Sequence, residues 1–169
     1  MFGRRLSQSF VLGALALACA QSTHTGETVD LLTLVDRLIA ARPLTAAKVE
    51  ALTGVRLVPN TASHNPFYVL SVSSSPRGIF RQVELREPRQ GATRSGGILI
   101  LDLDPAAAGI DHTRIPERYG KDFAFEPPAG HGPPNAPAYY SYQRPWGDLR
   151  FGFSRSNGRV EVVVIDAAE

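Results

Sequence analysis

The 169-residue sequence has a single cysteine, Cys19, and it lies near the N-terminus. An intrachain disulfide, a paired-cysteine metal site and thiol catalysis by the body of the chain are therefore excluded. Lysine is nearly absent: Lys48 and Lys121 apart, every basic side chain is arginine, a bias that a GC-rich genome produces without functional demand. Excess charge is also missing. The formal net charge is only +2, and Arg4 and Arg5 account for it. Binding to nucleic acid, which rests on a charge excess, is not expected. No apolar run beyond the N-terminal stretch approaches the roughly 20 residues that cross a bilayer as a helix. Gly-x-Ser-x-Gly, His-Glu-x-x-His and phosphate-cradling glycine loops do not occur either, which weighs against the common hydrolase and nucleotide classes. No cofactor is expected.

What is present begins with an export signal. Met1 to Arg5 is a short basic start, Leu6 to Ala18 is mostly apolar, and Ala18-Cys19-Ala20 supplies small residues for a signal peptidase. Cleavage after Ala20 would start the mature chain at Gln21, whereas cleavage after Ala18 would leave Cys19 free to take lipid. Ala16 and Leu17 stand in reverse of the order a lipoprotein signal prefers, so the first outcome is favoured. Leu6-Ser7-Gln8 after the paired arginines makes a twin-arginine signal a poor fit. The expected location is the periplasm or the extracellular medium, or the outer membrane if Cys19 is retained and lipidated. Residues 21–169 are expected to form one domain, long enough to build a core without disulfide or metal staples.

Apolar residues Val29, Leu31, Leu32, Leu34, Val35, Leu38 and Ile39 recur at helical spacing between Thr28 and Arg42, ahead of Pro43. Thr45 and Gly54 bracket a second short helix with cap chemistry at both ends. Strands are then expected at Val55–Val58, Pro66–Ser73, Ile79–Arg86, Gly97–Asp104, Ala138–Gln143, Leu149–Ser154 and Arg159–Asp166. Hairpin turns at Ser75-Pro76-Arg77-Gly78, Pro145-Trp146-Gly147-Asp148 and Ser156-Asn157-Gly158 separate several of them. Ile98 to Leu101, apolar on both faces, reads as a central strand, and Arg114 to Tyr119 as one more helical turn. The expected fold is α+β: an N-terminal helix pair packed on an antiparallel meander of about six to seven strands. Over Leu44–Gly54, the capped helix followed by strands resembles the helix-then-sheet modules of bacterial outer-membrane lipoproteins and of β-lactamase-inhibitor-like folds. The later strands exceed one such module, and a fold likeness supplies no function, which resides in sites.

Two features could carry function. Glu126 to Pro137 holds Pro127, Pro128, Pro133, Pro134 and Pro137 around Gly130-His131-Gly132, a stiff connection too long to be an ordinary turn. It reads either as a solvated connection or as a loop presenting His131 to a partner's cleft. Next come Tyr139, Tyr140, Tyr142, Trp146, Phe151 and Phe153, with Arg144 and Arg150 among them. Alternation sends Tyr139 to one face and Tyr140 and Tyr142 to the other. These aromatics read either as packing or as a binding patch of Tyr140, Tyr142, Arg144, Trp146 and Arg150. The leading expectation is a non-catalytic exported envelope protein that binds another envelope or secreted protein, for instance as inhibitor or immunity factor for a secreted hydrolase. One alternative is a small metal-dependent hydrolase using Asp102, Asp104, Asp111 and His112, which would have to converge in one cleft. Another is a receptor for a small ligand or glycan, its pocket lined by Tyr140, Tyr142 and Trp146. His24 and His64 lie in polar, turn-like surroundings and suggest no site. Membrane contact is expected only through a lipid on Cys19.

Overall fold

The computed structural model describes residues 30–91, 96–128 and 133–167. The export signal, Cys19, His24 and His131 fall outside them.

Helix α1 (Leu31–Ala40) starts where Asp30 takes the Thr33 amide at 3.2 Å and its hydroxyl at 2.7 Å, satisfying donors that a first turn leaves open. Helix α2 (Ala46–Thr53) is capped by Thr45 and ends on Gly54, whose φ of +68° is a left-handed conformation that glycine adopts without strain. Lys48 fastens the connection between them, its ammonium donating to the carbonyls of Ala41 (2.8 Å) and Pro43 (2.9 Å). Eight strands follow: β1 (Leu57–Pro59), β2 (Tyr68–Ser73), β3 (Phe80–Pro88), β4 (Ile98–Leu103), β5 (Ala124–Glu126), β6 (Ala138–Arg144), β7 (Gly147–Phe153) and β8 (Val160–Ala167). Two short helices, α3 (Pro105–Ala108) and α4 (Arg114–Tyr119), lie between β4 and β5.

The strands form one antiparallel sheet in the order β1-β2-β3-β4-β8-β7-β6-β5. This corrects the expected simple meander in two respects. The sheet has an eighth strand, β5, and β4 pairs with β8 instead of β5. After β4 the chain crosses through α3 and α4 to the far edge, then returns strand by strand to close on its own centre. Each half is thus a helix pair followed by a four-stranded meander, and the two halves join at β4 and β8, although no repeat is visible in the sequence. Both edge strands have only three residues, which limits edge-to-edge association.

Among the described residues, helices cover one face only. Leu99, Leu101 and Leu103 of β4, Val163 and Ile165 of β8, Leu149 and Phe151 of β7, and Val83 and Leu85 of β3 are buried on it. Leu31, Leu34, Val35 and Leu38 of α1, Val49 of α2 and Ile115 of α4 join the same core. Helix α4 is tied to α1 through Asp36, which accepts the Tyr119 hydroxyl at 2.9 Å and pairs with the Arg118 guanidinium.

Candidate functional site

Because side chains alternate along each strand, the register maps the opposite face completely. Its middle row runs Val58, Val72, Glu84, Ile100, Val164, Arg150, Ser141, Ala124 across all eight strands. On one side lies the row Leu70, Arg86, Ile98, Asp166, Asp148, Gln143. On the other lies Gln82, Asp102, Val162, Gly152, Tyr139, Glu126. The centre of this face is apolar: Leu70, Val72, Ile98, Ile100, Val162 and Val164 are only half-buried, and no described helix lies over them. Tyr139 lies flat against Gly152, where a Cβ would come within 2.7 Å of the ring and 2.4 Å of Val162 Cγ1. Glycine is required there because the tyrosine occupies the space of a side chain. Burial against this surface pushes the Tyr139 phenol above its ordinary pKa.

Two depressions flank the apolar centre. One, of about 450 Å³, is a groove in which Pro133, Asn135, Ala136 and Pro137 of the proline-rich loop face Arg81, Asp102, Glu161 and Val162. The other, of about 480 Å³, is a cleft over β5, β6 and β7, with Ser141 and Arg150 joined by Asp122, Phe123, Ala124, Glu126, Gln143 and Asp148. Each guanidinium on this face already has a carboxylate: Arg86 with Glu84 (2.6 Å), Arg81 with Asp102 (3.3 Å) and Arg150 with Asp148 (3.3 Å). Among the described residues, Asp122, Glu126 and Glu161 make no hydrogen bond or ion pair, so the face carries uncompensated negative charge at the cleft and the groove.

The patch expected from the aromatic hairpin does not form one surface. Tyr142 is 0% exposed, its hydroxyl donating to the Gly120 carbonyl at 3.0 Å, so it is a core residue. Tyr140 shares that face and packs in a cluster with Phe123 (ring centroids 4.1 Å apart), Phe153 and His112. Arg144 lies over the Tyr142 ring and donates to the Tyr119 carbonyl at 2.8 Å. Trp146 packs beneath the Arg42 guanidinium, 4.2 Å from its ring centre. Of the expected residues in view, Arg150 alone belongs to the open face. Tyr140, Tyr142 and Trp146, expected to line a ligand pocket, are each engaged in packing.

The proposed acid and histidine cluster does not converge either. Asp102 faces the open side with Arg81, whereas Asp104 caps α3 through the Ala106 amide at 2.9 Å. Asp111 caps the turn into α4 through Thr113, and His112 meets Asp111 at 3.3 Å while stacking on Phe153 at 4.6 Å. Among the described residues no group of three or more such side chains could hold a metal ion. Ser141 and the pairing of Ile98 and Ile100 with Asp166 and Val164 are not evident from the sequence, and Tyr139 is evident only as lying opposite Tyr140 and Tyr142. The available signal was that a strand apolar on both faces demands two covers, while the recognised helices could supply only one.

Comparison of the chain with protein-family models, curated proteins and solved structures finds no match in any of the three, so the likeness over Leu44–Gly54 remains that of a capped helix.

Proposed function

We propose that this chain is an exported, non-catalytic protein that binds another envelope or secreted protein through the uncovered face of its sheet. The observation that carries the reading is the apolar centre formed by Ile98, Ile100, Val162 and Val164, bounded by the proline-rich loop on one side and a polar cleft on the other. Contiguous apolar surface with a polar rim is the anatomy of a protein interface. The unpaired carboxylates Asp122, Glu126 and Glu161 select a partner with a basic surface, since charge complementarity governs which proteins dock and how fast. Pro133 and Pro137 of the proline-rich loop form one border of this surface. From the aromatic hairpin, Tyr139 and Arg150 contribute, while Tyr140 and Tyr142 stay on the helix-covered side. Inhibition of a secreted hydrolase by occlusion is one form this binding would take.

The test is a pair of substitutions on opposite faces, used in capture from the cell envelope and culture fluid. Ile100→Glu should abolish retention of a protein that the wild type and an outer-helix control, Lys48→Gln, both retain, with circular dichroism unchanged. Retention unaffected by Ile100→Glu would overturn the assignment of this face.

A further inference from the structure

Charge on the open face is arranged with its signs reversed across the centre. The central strands β4 and β8 present Ile98, Ile100, Val162 and Val164, and one strand further out on either side stands a charged column. On β3 the middle row holds Glu84 and the next row Arg86, whereas on β7 the same two rows hold Arg150 and Asp148. Each column is joined internally, Arg86 to Glu84 at 2.6 Å and Arg150 to Asp148 at 3.3 Å, yet all four side chains keep between 21% and 41% of their surface in solvent. Asp166 lies beside Asp148 in its row, and two carboxylates side by side on adjacent strands repel. A surface that fits this pattern is basic where this one is acidic, row by row, with an apolar strip between. The face itself has that property when turned about an axis along the seam of β4 and β8.

We infer that the open face is covered by the open face of a second copy of this chain, in a dimer whose two-fold axis runs between the sheets along the seam of β4 and β8. Rotation about that axis lays β7 of the second copy over β3. Glu84 then faces Arg150 of the second copy, Arg86 faces its Asp148 with Asp166 alongside, Ile100 faces its Val164, and each contact occurs twice. An axis in the same plane but across the strands would set Glu84 against Glu84 and Arg150 against Arg150, and like charges face to face oppose docking. Packed sheets lie about 10 Å apart, a gap that side chains from both faces fill. The twist that turns such sheets by about 30° displaces strands one removed from the axis by only about 4 Å, within reach of an arginine side chain. The proline-rich loop borders the third row, at Asp102 and Val162, so the contact is built on the other two. The second copy is the occupant of this face while no other protein is bound, so the docking proposed above proceeds by displacing it.

The experiment is sedimentation equilibrium of the purified protein over a range of concentrations, with the charge-reversal variants Glu84→Arg and Arg150→Glu alone and mixed, and folding checked by circular dichroism. The wild type should reach the mass of two copies. Each reversal sets like charges against each other at both symmetry-related contacts, so each variant alone should dissociate about a hundredfold more readily. Mixed in equal amounts, the two variants should recover the dimer, because each new charge then faces its opposite and the remaining contact is that of the wild type. If either variant fails to fold, Arg86→Glu with Asp148→Arg applies the same reversal in the next row. A wild type that stays monomeric, reversals that leave the dimer intact, or a mixture of folded variants that stays monomeric would each overturn the inference. The two readings fail separately. A monomeric chain that still loses its captured protein on Ile100→Glu leaves the docking face standing without the second copy. Capture unaffected by Ile100→Glu, beside a dimer that responds to reversal and mixing, leaves the second copy standing and removes the other protein.

Discussion

At the scale of single residues, Gly152 shows how tightly the open face is built around Tyr139. A methyl group at that position would lie 2.4 Å from Val162 Cγ1 and 2.7 Å from the tyrosine ring. Gly152→Ala is therefore expected to cost about 1 to 3 kcal/mol in urea denaturation, as overpacked substitutions do. Val162→Ala in the same chain should recover part of that loss, and strictly additive costs would contradict the contact. Two carboxylates set the acid response. The Thr33 hydroxyl and amide hold Asp30 below its ordinary pKa of 3.8, and the Thr113 amide and hydroxyl do the same for Asp111. A carboxyl lowered in the folded state stabilises fully above its ordinary value, and that contribution is lost as pH falls through the folded value. Stability should thus decline below about pH 4 more steeply in the wild type than in the variant Asp30→Asn, Asp111→Asn, which caps without a charge. Parallel curves in acid would count against both caps.

The elements differ in how far the sequence announces them. Thr45, Gly54 and the turn at Ser156-Asn157-Gly158 act within a few residues, so their chemistry was legible locally and helix α2 and the β7–β8 hairpin stand where they were expected. Strand β5 was not legible, because Ala124–Glu126 is too short for an alternation and ends against Pro127. Pairing of β4 with β8 joins segments about 60 residues apart, and nothing in one sequence encodes it. The site suffered from the same gap. Alternation separated Tyr139 from Tyr140 and Tyr142, yet which face the helices would cover depends on long-range packing and is not encoded in one strand. One element can be tested by itself. Asp36 is the acceptor that holds Tyr119 and Arg118 of α4 onto α1, so Asp36→Ala should speed amide exchange across Arg114–Tyr119 while leaving β4 and β8 protected. Exchange that accelerates throughout the sheet would contradict this local role.

Over the described residues, the molecule is an eight-stranded sheet covered by helices on one side and by none on the other. Its stability rests on the insulated side, where the helices bury Leu99, Leu101, Phe151 and Ile165. The proposed recognition surface is the side that no described helix covers, where apolar strands, a proline-rich rim and an acidic cleft adjoin. This division predicts that substitutions on the open face leave the fold intact and change binding, while those on the covered face do the reverse. The most direct measurement places a photo-cross-linking amino acid at Ile100 or Val164 on the open face and, in separate chains, at Arg37 or Lys48 on the outer helices, in living cells. One discrete cross-linked protein is expected from the two sheet positions and none from the helix positions. Cross-links from the helices alone, or none from either sheet position, would contradict it.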